Sequence, residues 1–374
     1  MQGPIAQALS ARLGQPSQHP LVSQGFSPNI VEPFGNNSLG IMIVGEAPGE
    51  QEDESGQPFA PWAPAGSVLA AAIRRAGCRR EQFVITNVVP ARPPKNWLEG
   101  APWEAEAISW GLEHLDEAVR VYKPRAIVAL GSIASRVTTG LSGSKLGVSH
   151  LSGYAIPSPR YSIPVIPCFH PSFLRRGAMA LLGVMVNALR KAKKVAAGQI
   201  ICVEPPVDSP PEGYILHPDP SVAESFLRDA KEAKYISFDI ETPYSTDEES
   251  AEEVEEEHRI KSIQFSLAQS SGIFMPWRDD FIPIAKEILA LPRPKLGWNI
   301  WHFDNPVLYE HSCKIAGEQH DLIWAWHHLQ PDLPRGLQFA AGQLGWPYPW
   351  KHLSGSDQEF YGIVDVEVLQ WMVA

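Results

Sequence analysis

The sequence predicts an α/β fold with two sheets, one in each half of the chain. The first half alternates short, apolar, β-rich runs with helical patterns, which is typical of a parallel sheet with helices on both faces. The second half contains a hydrophobic run that ends at Asp239 and later runs that suit an antiparallel hairpin. At 374 residues, 44% of them hydrophobic, the chain can bury two ordinary cores. We therefore expect an N-terminal three-layer α/β/α domain and a C-terminal mixed-sheet domain.

Four polar loops of the first half follow predicted strands. Strands are expected at 41–44, 83–86, 126–130 and 165–169, and helices at 67–76, 104–122 and 178–194. The loops after these strands read GEAPG, TNVVPARPP, ALGS and FHPS. Ligands of open parallel sheets bind at the carboxyl ends of the strands. The four loops are therefore expected to meet at one edge of the sheet.

A proline-rich stretch over 202–220 divides the chain, because its composition resists both helix and sheet. We expect an N-terminal extension over 1–37, a first domain over 38–198, a linker over 199–212 and a second domain over 213–374. The acidic run at 247–257 is interpreted as a solvated loop without chemistry of its own.

Charge is divided unequally between the halves. The net charge is −11, but residues 1–200 hold 19 Lys and Arg against 13 Asp and Glu, and residues 201–374 hold 12 against 29. A positive half attracts phosphates, and carboxylates hold divalent metals. No run of eighteen apolar residues is present, so we expect a cytoplasmic protein that does not bind a membrane. The four cysteines form no CxxC pair and are expected as free thiols.

Three motifs lie in order on successive strands of the first half. The first is Gly45-Glu46-Ala47-Pro48-Gly49, with Gly56, Pro58 and Phe59 after it. The second is Thr86-Asn87-Val88-Val89 followed by Arg92-Pro93-Pro94, and the third is His170-Pro171-Ser172 followed by Arg175. Each motif alone is common, but the ordered set is specific. Over about 38–195 the chain thus resembles the uracil-DNA glycosylase superfamily, most closely its family 4.

The resemblance implies an enzyme that everts a nucleotide and hydrolyses the bond between uracil and its sugar. It implies that Phe59 stacks on the base, that Asn87 reads the O4 and N3–H edge of uracil, and that His170 donates to O2 as the base leaves. Glu46 would position or polarise the attacking water, supported by Glu52 or Asp53, and the residue types leave that choice open. The expected uracil-binding residues are Gly45, Glu52, Asp53, Phe59, Asn87 and His170, and the expected DNA-contacting residues are Arg92, Ser172 and Arg175.

The chain departs from the family pattern at three places. The family usually carries a four-cysteine iron-sulfur cluster, but Ala91 stands where a cysteine precedes Arg-Pro-Pro, so we expect no cluster. Residues 60–66 lengthen a turn that is short in the family, and Ser152-Gly153 stands where Arg-Gly is common. The longer turn contains Trp62, which could wedge into DNA. These changes leave open a first domain that binds DNA without excising uracil.

A second set of motifs follows in the second half. Asp239-Ile240-Glu241-Thr242 ends a predicted strand, and a hairpin is expected over 259–267 and 272–277. Asn299-Ile300-Trp301-His302-Phe303-Asp304 leads into a helix, and Tyr361-Gly362-Ile363-Val364-Asp365 lies on a helix expected over 360–373. Over 213–374 these motifs resemble the DEDD 3'-5' exonuclease domains of DnaQ-like enzymes and family A DNA polymerases. The resemblance implies an RNase H-like fold.

This second resemblance implies hydrolysis with two divalent ions. Asp239, Glu241, Asp304 and Asp365 would hold two Mg²⁺ or Mn²⁺ ions about 4 Å apart. Four crowded carboxylates would otherwise repel one another, so the set indicates cations. Tyr361 and Asp365 are four residues apart on one helix face, which lets the phenol orient a water beside the metal ligand.

Together the two resemblances predict a bifunctional enzyme of DNA repair and proofreading that excises uracil and shortens 3' ends, with DNA as its partner. The alternative is an active exonuclease whose first domain only binds DNA or senses uracil. The last residues include the apolar Trp371 and Met372, which favour a fragment of a longer bacterial or phage chain with a family A DNA polymerase domain after it.

Overall fold

The computed structural model describes residues 19–143, 146–243 and 259–374. The chain forms two units, one over 1–204 with 345–349 and the other over 205–344 with 350–374. Each unit has its own sheet. The acidic run at 247–257 lies outside the described residues. None of the described helices combines the length and apolar character that a membrane span requires.

The first unit is built on a five-stranded sheet in the order β2-β1-β3-β5-β4. Its strands are β1 (Ile41–Gly45), β2 (Val84–Asn87), β3 (Ala126–Leu130), β4 (Ile156–Pro157) and β5 (Pro164–Cys168). β1, β2, β3 and β5 are parallel, and only the short β4 is antiparallel to its neighbour β5. The predicted parallel sheet is therefore confirmed.

Seven helices accompany this sheet within the described residues: α1 (Glu50–Ser55), α2 (Pro64–Arg75), α3 (Glu104–Tyr122), α4 (Ser132–Thr139), α5 (Val148–Leu151), α6 (Pro171–Arg175) and α7 (Leu182–Ala196). Every residue of β1 and β3 is buried, so both faces of the sheet are covered. The helix expected over 178–194 begins instead as a 3₁₀ turn, Met179–Leu181, because Ala178 before it has a non-helical backbone.

Alternation along the strands divides the buried side chains of this unit between the two faces of its sheet. Met42 and Val44 of β1 join a buried cluster that also contains Leu115 of α3 and Ile133 of α4. Residues two apart on a strand share a face, whereas apolar residues three or four apart share a helix face. Each such side chain contributes about 1.5–3 kcal/mol when fully buried. The cluster fixes the strands and therefore the loops at their carboxyl ends.

The second unit is built on a six-stranded mixed sheet in the order β11-β10-β7-β8-β9-β6. Its strands are β6 (Gly213–Ile215), β7 (Ile236–Glu241), β8 (Ser262–Ser266), β9 (Ser271–Pro276), β10 (Lys295–Gly297) and β11 (Gln319–Asp321). β7, β8 and β9 form the expected antiparallel meander, β10 and β11 run parallel to β7, and β6 runs parallel to β9. The predicted second, mixed sheet is confirmed.

The helices of this unit are α8 (Pro220–Ala230), α9 (Ile282–Ala290), α10 (Asp304–Glu310), α11 (Leu322–Leu329), α12 (Leu337–Leu344) and α13 (Gln358–Val373). α13 crosses β7, β8 and β9 and is buried continuously from residue 360 to 370. Gly362 allows this close approach, because an added Cβ would lie 2.8 Å from the Gln264 side chain on β8. The contact holds Asp365 of α13 over the strand that carries Asp239.

Candidate active sites

The first site lies at the carboxyl ends of the parallel strands. Glu46 directly follows β1, Asn87 is the last residue of β2, and His170 lies two residues beyond β5. Gly45 and Asn87 are partners in the register of β1 and β2. Parallel register therefore brings the three predicted catalytic residues to one edge of the sheet.

A cavity of about 480 Å³ opens at this edge. That volume lies within the range of about 300–1,000 Å³ that is usual for small-molecule pockets. Glu46, Glu52, His170 and Ser172 line the cavity, as do residues that the sequence did not single out, including Asn96, Trp97 and Glu99. Trp62 is 61% exposed and does not belong to its wall. The pocket is therefore not filled by that tryptophan.

Gly45 brings the aromatic ring and the amide of the site together. A Cβ added there would lie 2.4 Å from both the Asn87 Oδ1 and the Phe59 Cζ atoms, so only glycine fits. Phe59 has a φ of 50°, which is uncommon for a non-glycine residue, and its ring centroid is 5.6 Å from that of His170. The ring is 2% exposed and does not line the cavity, and it packs beside His170, which does.

The Asn87 side chain is 2% exposed, and neither its Oδ1 nor its Nδ2 has a hydrogen-bond partner within the described parts of the chain. A buried unpaired polar group costs about 1–3 kcal/mol, so native proteins retain few of them. Asn87 does not itself line the cavity, but it ends β2 at the same edge of the sheet as Glu46, which does. An amide kept unpaired at this edge indicates a group reserved for a ligand.

His170 is held as a neutral imidazole. Its Nδ1 accepts a hydrogen bond from the Ser172 backbone N–H at 3.2 Å and lies 2.6 Å from the Ser172 Oγ. Because Nδ1 accepts, the ring proton resides on Nε2. Burial, with a further contribution from the positive charge of Arg176, lowers the pKa of His170 to about 4. The ring can therefore donate from Nε2 at neutral pH without carrying a charge.

Glu46 is a partly buried residue of the loop after β1, and its carboxyl group lies at the N-terminus of α4. Burial, followed by the negative charge of Glu99, raises the pKa of Glu46 to about 7, although the backbone N–H groups of Ile133 and Ser132 donate to the carboxylate and oppose the shift. Gly131, at a φ of 95°, leaves room for it, because a Cβ there would lie 2.3 Å from the Glu46 Oε1. A carboxyl group with this pKa is suited to accept a proton near neutral pH.

Glu52 and Asp53 occupy different positions although they are adjacent on α1. The Glu52 Oε2 accepts a hydrogen bond from the Gly49 N–H at 2.6 Å, and Glu52 lines the cavity. Asp53 accepts from the Ser27 hydroxyl at 2.7 Å and is not part of the cavity wall. Burial raises the pKa of Glu52, while the Gly49 N–H opposes the shift. The geometry therefore favours Glu52 as the supporting residue.

The predicted DNA-contacting residues differ in the contacts that they make within the protein. Ser172 lines it, as described, and Arg175 lies in the last turn of α6. The Arg92 guanidinium contacts the Glu50 carboxylate at 3.2 Å and the Asn96 side chain at 2.7 Å. These two contacts use the Nε and Nη2 atoms of Arg92, and its side chain is 25% exposed.

The second site gathers carboxylates from three elements of the second unit. Oxygens of Asp239 and Glu241 on β7 and of Asp365 on α13 all lie within 4.8 Å of one another. Asp304, the first residue of α10, is 1% exposed and accepts a hydrogen bond from the Ile240 N–H at 3.0 Å. The four predicted metal ligands thus occupy one region, three of them as a cluster and Asp304 anchored to β7 beside them.

The carboxylates of the second site disfavour one another's charge. Burial, followed by the charges of Asp304, Asp365 and Glu241, raises the pKa of Asp239 well above its ordinary value. Burial likewise raises the pKa of Asp304 to about 7. Oxygen-only donors of this kind fit the preference of hard divalent cations such as Mg²⁺ and Mn²⁺, and a bound cation would relieve the repulsion.

Three further residues position this second site, and the sequence motifs did not identify them in this role. Asp321 accepts hydrogen bonds from the backbone N–H groups of Asn299 at 2.7 Å and Trp301 at 3.2 Å, which orders the loop before Asp304. Trp350 and Lys351 both contact Asp365. Asp321 is the last residue of β11, and the other two lie at the start of a 3₁₀ turn between α12 and α13.

Comparison with known proteins matches residues 32–193 to the uracil DNA glycosylase superfamily. The type-4 uracil-DNA glycosylase of Thermotoga maritima is 36% identical over 166 residues, which are 44% of this chain and 82% of that protein. That of Archaeoglobus fulgidus is 35% identical over 147 residues, 38% of this chain and 71% of that protein. That of Pyrobaculum aerophilum is 44% identical over 117 residues, 31% of this chain and 57% of that protein.

The chain belongs to the uracil DNA glycosylase superfamily. The relatives it matches are type-4 members, as the motifs of the first half predict. The family match ends at residue 193, before the second unit begins, and the chain spans little more than half the length of the Pyrobaculum relative.

Proposed function

We propose that the first unit excises uracil from DNA by hydrolysing the N-glycosidic bond. The observation that carries this proposal is the buried Asn87 amide, which has no partner for either polar atom among the described residues. The O4 and N3–H edge of uracil offers one acceptor and one donor, and an amide offers the complement. Cytosine presents a donor at the position of O4 and therefore does not match the hydrogen-bonding pattern of the Asn87 amide. The type-4 relatives support the same substrate.

In this proposal Phe59 and His170 make different contacts with the everted base, the first with its face and the second with its O2 atom. Phe59 supplies a π face beside Asn87, since both contact Gly45. The Nε2–H of neutral His170 donates to O2 of uracil as negative charge develops on the departing base. A neutral donor is suitable here because it stabilises the anion without transferring its proton to it beforehand.

Glu46 is the general base of the proposed reaction. Its carboxylate accepts a proton from the water that attacks the sugar carbon, and its pKa of about 7 leaves it substantially ionised at neutral pH. Glu52 fixes the Gly49 turn next to it through the 2.6 Å hydrogen bond to the backbone N–H. The positive first half attracts the DNA backbone, with Arg92, Ser172 and Arg175 as the expected contacts.

We propose in addition that the second unit is a 3'-5' exonuclease. The specific observation in its favour is the cluster of Asp239, Glu241 and Asp365 oxygens within 4.8 Å, with buried Asp304 beside it. The strand order β9-β8-β7-β10-β11 supports an RNase H-like fold. Two divalent ions held by the four carboxylates would supply an activated hydroxide and neutralise charge on the leaving 3' oxygen. Tyr361, one helical turn before Asp365, would orient the water.

One experiment separates the two proposed activities. Duplex and single-stranded oligonucleotides containing one uracil are incubated with the chain in EDTA, which removes divalent ions, and are then cleaved with alkali. We expect cleavage at the uracil position that Asn87→Ala abolishes. No cleavage at any protein concentration would favour the alternative, in which the first unit only binds DNA or senses uracil.

The same chain is then supplied with Mg²⁺ or Mn²⁺ and a uracil-free oligonucleotide. We expect a ladder of products shortened from the 3' end, and Asp239→Ala should reduce its rate by about 1,000-fold or more, because a buried carboxylate of a two-metal site is lost. A ladder that survives Asp239→Ala would contradict the exonuclease proposal and leave the glycosylase proposal intact. The absence of an iron-sulfur cluster, the cytoplasmic location and a following polymerase domain stay predictions.

A further inference from the structure

Both carboxylate oxygens of Asp365 already have hydrogen-bond donors from the protein. The Trp350 Nε1–H donates to Oδ1 at 2.9 Å, and the Lys351 ammonium donates to Oδ2 at 2.7 Å. Asp365 is 2% exposed, and Trp350 is fully buried. A residue expected to coordinate a divalent ion is therefore paired with a cation from its own chain.

Lys351 is integrated into this site by more than one contact. Its Nζ lies 3.0 Å from the Tyr361 hydroxyl and 4.8 Å from the centroid of the Tyr361 ring. Its positive charge also acts on Asp239 and Glu241. Among the described residues, Lys351 thus places a positive charge beside the carboxylate cluster and the phenol that the proposed hydrolysis uses.

The two partners of Asp365 differ in their freedom to move. Trp350 is completely enclosed, so its indole keeps its position. The Lys351 side chain is 27% exposed and is flexible along its four-carbon stem. Its ammonium can leave Oδ2 for solvent without unpacking the core, whereas the tryptophan cannot.

We propose that Lys351 is a built-in cation that competes with a divalent ion for the Oδ2 atom of Asp365. In the metal-free protein its ammonium offsets the repulsion among the carboxylates. When a divalent ion binds, the ammonium yields Oδ2 and remains at the rim of the site, beside the Tyr361 hydroxyl. This inference rests on the metal site of the proposed exonuclease, and it makes Lys351 a determinant of metal affinity.

The test measures Mn²⁺ binding to the full chain without nucleic acid, from the free-Mn²⁺ signal in electron paramagnetic resonance. Lys351→Met keeps the length of the side chain and removes its charge, so we expect Mn²⁺ to bind about tenfold more tightly or better. Lys351→Arg keeps the charge and should stay within about threefold of the wild type. Asp239→Asn identifies the binding that belongs to this site.

Lys234→Met is the matched control. The Lys234 ammonium also lies over a tyrosine ring, that of Tyr235 at 5.1 Å, but Lys234 lies outside the carboxylate cluster. This variant should leave the dissociation constant of Mn²⁺ unchanged. If the wild type binds Mn²⁺ and Lys351→Met binds it no more tightly, the inference about Lys351 is overturned and the proposed metal site stands. If neither protein binds Mn²⁺, the metal site fails as well.

A second measurement needs no variant and therefore does not depend on how Lys351→Met folds. The wild-type chain is treated with an acylating reagent, and modification of Lys351 is followed by mass spectrometry with and without saturating Mg²⁺. We expect Mg²⁺ to increase the rate of Lys351 modification severalfold relative to that of Lys234. An unchanged or reduced rate would show that the ammonium keeps its partner when the ion binds, and would overturn the inference.

Discussion

In the proposed glycosylase, Asn87 is kept for recognition of the base at a cost to the stability of the fold. Its amide is buried without partners among the described residues, which costs about 1–3 kcal/mol. We predict that Asn87→Ala lowers kcat/KM for uracil excision by about 100-fold or more, because contacts to the base edge are lost. The melting temperature should stay the same or rise, since the unpaired polar group is removed.

Asn305 provides the control for this prediction. It is also a buried asparagine, but its Nδ2 donates to the Gln319 side chain at 2.7 Å. Asn305→Ala should lower the melting temperature and leave uracil excision unchanged. If Asn87→Ala destabilised the chain while preserving excision, the amide would serve the fold and the base would be recognised by other groups.

Glu46 sets the pH dependence of the proposed glycosylase. Its pKa is raised to about 7, and the proposed base must be ionised to accept a proton. We therefore predict that kcat/KM falls as pH decreases through about 7 and is level above it. His170, with a pKa of about 4, stays neutral over this range and adds no inflection between pH 5 and 9. Rates measured in EDTA from pH 5 to 9 check this.

Two glutamine variants make the assignment specific. Glu46→Gln should abolish the rise in rate between pH 6 and 8 along with most of the activity. Burial also raises the pKa of Glu32 to about 7, but Glu32 does not line the cavity. Glu32→Gln should retain the rise. A profile that keeps its inflection near pH 7 in Glu46→Gln would assign the titration to another group.

At the scale of elements, the end of β1 determines the shape of the base site. We predict that Gly45→Ala nearly abolishes uracil excision, because the new Cβ would collide with the Asn87 Oδ1 and with the Phe59 ring, each at 2.4 Å. Gly183→Ala, in the first turn of α7, introduces the same methyl group where nothing lies within 4 Å. It should keep full activity in the same alkaline-cleavage assay. Equal activity of both variants would contradict the close packing around Gly45.

The regular elements could be predicted where local pattern and tertiary packing agree. β3 and α3 have the bounds that alternation and helical periodicity indicate, since their apolar residues face the core of this unit. β4 and β6 were not predicted, because strands of two and three residues carry no periodicity. They form only where a neighbouring strand offers its edge.

The site residues also divide into those that could be predicted from sequence and those that could not. Glu46, Asn87 and His170 follow strands, so parallel register was sufficient to bring them together. The choice between Glu52 and Asp53 could have been made from sequence, because a glutamate three residues after the N-cap, here Gly49, commonly accepts a hydrogen bond from the N-cap N–H. Glu99 and Lys351 could not be identified from sequence, because Glu99 lies in a turn and Lys351 begins a short 3₁₀ helix, and only tertiary structure places either one beside its site.

At the scale of the whole molecule, each proposed site takes its residues from a single unit. We predict that Asp239→Asn changes the rate of uracil excision in EDTA by less than about twofold, and that Asn87→Ala changes the Mn²⁺-dependent shortening of 3' ends equally little, as expected for sites that share no residue. Both variants are measured in the full chain. Loss of both activities from either substitution would show that the sites depend on each other.

The unpaired amide of Asn87 also affects what happens after bond cleavage. In the proposed reaction the freed pyrimidine presents the same edge that the Asn87 amide reads in DNA, and it keeps its proposed contacts with the Phe59 ring and the His170 imidazole, whose centroids are 5.6 Å apart. Release of this product leaves the polar atoms of the Asn87 amide without partners again. The free energy of dissociation of the base is therefore less favourable. Free uracil should therefore act as a competitive inhibitor and raise the melting temperature, and turnover should slow as the base accumulates.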